Sequence, residues 1–209
     1  MSKSNSWRNR VQGLADRTWE VESIRNRLNN LRQKGFGPKY LDWMALQDSR
    51  KEVLDRVQRR AEEYEYLTHS CSKGSALALM EEFGLGNMPV IKALNTFPGI
   101  GGTGEMGGGV TGSLMAFGLY FGSDDQLDFQ ANGPTMITAQ KFMAFFEDQV
   151  GYLVCSDIQE KVIFGRNMDP GASEENMEAF AKARGFEKCG LAPGLGARLA
   201  AEFIIESLE

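Results

Sequence analysis

The sequence predicts an all-α protein, a compact helical bundle of about eight helices with an N-terminal αα-hairpin. Three observations lead there. Apolar residues recur every three or four positions over most of the chain. Gly, Pro and polar clusters interrupt these stretches at about one helix length. No segment alternates apolar and polar residues long enough to read as a strand, LDFQA at 127–131 being the best and a weak one.

Each element follows in order. Leu14, Val21, Ile24, Leu28 and Leu31 make an apolar seam on a charged helix, which Gly35-Phe36-Gly37-Pro38 ends. A second helix is expected from about Tyr40 to Tyr66, with Val53 or Leu54, Val57, Ala61 and Tyr64 on one face. Two such helices joined by a Gly/Pro turn form a hairpin, suited either to cover the body or to pair with a second copy. A helix over 70–83 stops at Gly84-Leu85-Gly86, and a short one follows near 88–94. Next comes FPGIGGTGEMGGGVTG, with eight glycines in residues 99–112. Val110 to Phe121 is apolar nearly all round and should be central. Residues 122–134 read as a polar loop, 135–151 as a helix and 157–164 as a short one. Ser173 can cap a helix reaching Arg184, with Glu174 and Glu175 favourable in its first turn. The last helix is expected from about Gly194 to Leu208.

Composition narrows the function. The 209 residues are 42% hydrophobic and 24% charged, ordinary for a globular protein. No apolar run reaches the roughly 18 residues that span a bilayer. The start, MSKSNSWRNR, lacks the apolar stretch of a secretory signal, so a cytoplasmic protein without a membrane partner is expected. The net charge of −5 argues against a nucleic-acid partner. The charge is uneven. Residues 1–66 carry 14 Lys and Arg against 10 Asp and Glu, a net of +4, which leaves −9 for residues 67–209. Two units are expected on this basis, a basic hairpin over 1–67 and an acidic body over 68–209. The hairpin could cover the body or join protomers of a homo-oligomer.

The cysteines point to chemistry. Cys71, Cys155 and Cys189 lie far apart, with no CxxC pair for a zinc ribbon or a thioredoxin-like couple. Free cysteines are usually small buried hydrophobes. Here all three are expected at or near helix starts, where peptide dipoles stabilise a thiolate and lower its pKa. That position suggests that at least two share a site. His69, the sole histidine, stands two residues from Cys71 and could ligate a metal or exchange a proton near neutral pH. Eight clustered glycines imply close backbone approach or positive φ. Tight helix packing explains them best. A cofactor or substrate lying on bare backbone at Gly104, Gly107, Gly108 and Gly109 is the functional alternative. The stretch fits neither phosphate-binding motif. Glu105, its sole charge, is a candidate acid/base or ligand. Met80, Met106, Met115, Met143, Phe117 and Phe145 are candidates to line an apolar pocket, though such residues are more often core.

From about His69 onward the chain resembles the C_GCAxxG_C_C family, named for its cysteine pattern and associated with redox activity. HSCSKGSALALMEEFGL resembles the segment of its first cysteine. FPGIGGTGEMGGGVTGSLMAFGLYFG resembles its glycine-rich segment, FFEDQVGYLVCSDI that of its third cysteine and EKCGLAPGLGARLAAEFI the last. The resemblance implies a helical domain whose cysteines form a redox or metal site, including an iron–sulfur site. It carries over to Cys71, Cys155 and Cys189 as ligands or redox thiols. The second family cysteine is replaced by glycine, Gly107 or its neighbour Gly108. A four-thiolate site would be closed, whereas three leave one position open.

Three outcomes compete. A [4Fe–4S] cluster, zinc or iron could bind with an open position or with His69 as fourth ligand. Two thiols could form a disulfide couple. Or a cysteine-depleted cavity could do non-redox chemistry on a small molecule. The leading expectation is a redox- or metal-associated small-molecule enzyme, an oxidoreductase or lyase. In it Cys71 or Cys155 acts as nucleophile, and Glu105 or His69 moves protons. A non-catalytic cofactor-binding or electron-transfer subunit is the alternative.

Overall fold

A computed structural model describes residues 3–208, with side chains from residue 7. It is all-helical. Its helices are α1 (Lys3–Asp16), α2 (Val21–Lys34), α3 (Trp43–Asp48), α4 (Arg50–Thr68), α5 (Cys71–Phe83) and α6 (Met88–Ala93). They continue with α7 (Gly108–Phe121), α8 (Phe129–Val150), α9 (Cys155–Asp157), α10 (Glu174–Lys182) and α11 (Leu191–Glu206). The α9 helix runs on as a π-helix over Ile158–Phe164. Single turns lie at Leu94–Thr96, Gly99–Gly102 and Gly185–Lys188. Among the described residues there is no strand, only an isolated antiparallel bridge between Met106 and Val154.

The core is the mutual packing of α4, α5, α7 and α11, with α8 laid over α7 and α11. Fully buried side chains come from each: Val57 and Ala61, Leu79 and Met80, Val110 and Phe117, Ala200 and Ile204, with Phe142 and Phe146 from α8. Glycines let the backbones meet. A Cβ on Gly112 would stand 2.2 Å from the Ser72 carbonyl oxygen, and one on Gly109 2.4 Å from that of Ala192. Neither distance is physically possible, so α7 crosses α5 and α11 where side chains are absent. Close helix packing is therefore what these two glycines do.

Several elements differ from expectation. Among the described residues there are eleven helices rather than about eight, because tertiary contacts break long periodic stretches. The seam from Leu14 to Leu31 is divided at residues 17–20. Trp19 stacks on Tyr66 with centroids 4.4 Å apart. Arg17 lies 4.8 Å over the Trp19 ring and 2.7 Å from a Glu62 carboxylate oxygen. These contacts reward an extended connection more than continued helix. The helix expected over 40–66 breaks at Ser49 into α3, capped by Asp42, and α4. The hairpin is thus α2 packed on α4 with α3 between. The candidate strand at 127–131 is instead the start of α8. The Asp128 carboxylate accepts hydrogen bonds from the Gln130 and Ala131 amides there, each at 3.2 Å.

The N-terminal helices share the body's core. Ile24, Leu31, Val53 and Leu54 belong to one buried cluster with Leu79, Val110 and Ile205. Among the described residues, no helix is long and apolar enough to cross a membrane.

Candidate functional site

Stretches remote in the chain converge on one cavity of about 200 Å³. They are the end of α4, the start of α5, the glycine-rich loop leading into α7, α9 with its π-helical continuation, the loop at 167–170, Phe180 of α10, and the turn before α11 with the start of that helix. All three cysteines line it, though 84 and 34 residues separate them in the chain. Local geometry explains each placement. Cys71 is the first residue of α5, reached by a left-handed turn at His69 with φ of 50°. The His69 ring stacks on Phe186 at 4.0 Å, which fixes it against the cavity wall. Cys155 opens α9. Its amide donates to the Glu105 carbonyl at 2.7 Å, while the Ser156 amide donates to Gly104 at 3.0 Å and the Gly107 amide to Leu153 at 2.8 Å. The glycine-rich loop is therefore pinned by main chain to the segment carrying Cys155. Cys189 follows the turn Gly185–Lys188 and precedes α11.

The helix starts are where the sequence places them, but the thiols are not acidic. Burial pushes Cys71 up to about 12, moves Cys155 up and raises Cys189 well above the ordinary thiol value. Desolvation of a thiolate is the largest cause in each, with Asp169 adding to it at Cys155 and Glu65 at Cys71 and Cys189. Backbone hydrogen bonds from Gly108 and Ser72 favour the Cys71 thiolate but do not outweigh its burial. The expected dipole lowering is thus corrected: burial outweighs the peptide dipoles, and the three thiols shift up rather than down.

Gly104, Gly107, Gly108 and His69 line the cavity. Gly109 does not, being pressed against α11. Nor does Glu105: its residue is exposed, and its contribution is the carbonyl that holds Cys155. The apolar residues proposed for a pocket lie elsewhere, Met80 and Phe117 in the core and Phe145 exposed. The aromatic wall is Phe180 and Phe186 instead. Two carboxyl groups escaped the sequence reading, Glu65 and Asp169. Glu65 carried a visible signal, since it falls on the same face of α4 as Ala61 and Thr68, turned toward the interior.

A Cβ on Gly108 would lie 2.2 Å from the Cys71 sulfur and 2.6 Å from the Ser72 amide nitrogen. One on Gly107 would instead meet the Leu153 carbonyl oxygen at 3.2 Å. Gly108 is thus the position against the first cysteine, and Cys71 Sγ occupies the space a second side chain would need.

Soft thiolates suit zinc, iron or a cluster by donor type. Among the described residues, no group of three His, Cys, Asp or Glu side chains is gathered as ligands for a metal ion; Cys71, Cys155, Cys189 and His69 border the same cavity.

The described residues form an all-helical body with three thiols around a glycine-floored cavity. The chain belongs to the family described as "Putative redox-active protein (C_GCAxxG_C_C)", whose family model covers residues 69–203. No curated protein and no solved structure matches the chain.

Proposed function

We propose that this protein is a thiol-dependent redox protein that reacts with a small disulfide held among Cys71, Cys155 and Cys189. One observation carries the reading: three cysteines remote in sequence border a single cavity of about 200 Å³. Cys71 is the attacking sulfur, because the backbone amides of Gly108 and Ser72 stand against it and stabilise a developing thiolate. It attacks one sulfur of the ligand R–S–S–R. The mixed disulfide Cys71–S–S–R forms and one R–SH leaves. A second cavity thiol then displaces the other R–SH, leaving a protein disulfide. Two protein thiols are oxidised and one ligand disulfide is reduced, so atoms and electrons balance. The apolar walls of Phe180, Phe186, Ile158 and Ile163 suit an uncharged R group.

The test is titration of the full chain in buffers of small thiol and disulfide, with free thiols alkylated and counted by mass spectrometry. A transition from three free thiols to one is expected, together with a mixed-disulfide species that Cys71→Ser abolishes. Three alkylatable thiols at every poise would overturn the reading.

A further inference from the structure

We infer that the outer face of α8 is a homodimer interface, on which a second copy of this chain packs its own α8 antiparallel across a two-fold axis near Gly133.

The helix carries two apolar faces, and the body covers only one. Phe142 and Phe146 point inward and are fully buried. On the other side, at the helical period, Phe129, Gly133, Met136, Ile137 and Gln140 fall in one strip. Phe129 is 74% exposed, Met136 63% and Ile137 53%, and Leu127, just before the helix, is 76% exposed. No charged residue occurs from 129 to 140, where a helix facing water ordinarily carries several. Apolar side chains scattered singly over a surface need no explanation, but a row of them along one helix face marks a contact.

Gly133 sits in the middle of that strip. A Cβ there would meet nothing within 4 Å, so no contact within the chain calls for glycine. Glycine and the Pro134 that follows it are the two poorest formers of a helix interior. A second helix crossing at this point supplies the reason. The bare Cα lets two backbones approach closely and leaves a hole for a side chain such as Met136 of the second copy.

Area and charge select a second copy as the occupant. A folded monomer of 23.2 kDa ordinarily exposes about 9,700 Å². This chain exposes 11221 Å². The excess, about 1,500 Å², matches what each protomer of a permanent dimer buries, on the order of 1,000–2,500 Å². Asp124, Asp125 and Asp128 precede α8, and Lys141 lies along it. None of these four has an oppositely charged side chain against it among the described residues. An antiparallel pair crossing near Gly133 sets each Lys141 beside the acids of the other copy, twice by symmetry. A parallel pair would set acids on acids. One lysine among three acids also gives anionic lipid headgroups nothing to bind.

Sedimentation velocity on the full-length chain at micromolar concentrations tests the assignment. Twice the 23.2 kDa of one chain is expected. Ile137→Asp places an unpaired charge in the contact from both copies and should weaken association at least about hundredfold, giving a monomer with an unchanged circular dichroism spectrum. Lys141→Glu should weaken it by about tenfold at low salt and by less at high salt. Gly133→Cys should give a dimer linked between the two introduced thiols under mild oxidation, identified by peptide mass, because the axis brings both positions together. A monomeric parent chain overturns the inference. So does a dimer that Ile137→Asp leaves intact, which would put the interface elsewhere. A monomer that co-sediments with phosphatidylcholine vesicles overturns it in favour of a membrane surface.

Discussion

Glu62 and Glu65 stand one turn apart on α4, and each is 4% exposed. Their surroundings are opposite. Glu62 lies 2.7 Å from Arg17 of the connection after α1 and accepts a hydrogen bond from Gln58 at 2.9 Å. Its neighbours follow the same rule. Glu63 is bound by Arg27 at 2.7 Å, and Glu82 of α5 by both Arg56 and Arg60 of α4. Tyr64 donates its hydroxyl proton to Glu81. Every one of these acids has a donor against it, whereas Glu65 keeps a buried oxygen without a hydrogen-bond partner and lines the cavity that the three cysteines share. An acid with a matched cation ties helices together. An equally buried acid without one is a perturbed group in a cleft, which is where reactive chemistry concentrates.

The largest effect that could break this contrast is on stability. Glu62→Ala would strand Arg17 and the Gln58 amide, and should cost roughly 1–3 kcal/mol. For a chain of this size that lowers the thermal midpoint by several degrees. Glu65→Gln replaces an acid that folding already disfavours ionising, and should change stability at pH 7 by less than about 1 kcal/mol or raise it. Calorimetry on both variants checks the pair. Equal losses would make Glu65 a structural acid like its neighbour.

A second, smaller effect separates the two kinds of acid by pH. The Glu65 value is raised in the folded state, so the stability its neutral form contributes is complete below about 4.5 and is lost as pH climbs through the folded value. Glu82 behaves in the opposite sense. Burial opposes its ionisation, but the hydrogen bonds and charge of Arg56 prevail and lower it. Its contribution is present above about 4.5 and is lost as pH falls through the folded value. Each group contributes a slope of at most ~1.4 kcal/mol per pH unit in its own window. Urea unfolding from pH 2 to 9 should therefore show Glu82→Gln flattening the acid side and Glu65→Gln flattening the region above 4.5. If both variants flatten the same side, the opposite shifts are wrong. Cys71, raised to about 12, adds an alkaline loss between about 9 and 12 that Cys71→Ser removes.

These contrasts also show what could be read in advance. Periodicity found the helices whose apolar faces are long and whose stops are local, as at Gly35 and Gly84, both helix-ending residues with positive φ. It missed the breaks at residues 17–20 and at Ser49, because Trp19 on Tyr66 and Arg17 on Glu62 are contacts between distant segments that no local pattern encodes. The three cysteines and His69 were legible from their helix starts and from the family pattern. The direction of the thiol shifts was not, since desolvation depends on what the rest of the chain brings over the sulfur. Glu105 attracted notice as a lone charge among glycines, yet a loop carboxylate faces water more readily than a cavity. Glu65 is one of five acids in the α4 sequence; its inward position was legible from the helix period, but only the fold shows that its Oε2 atom has no hydrogen-bond partner.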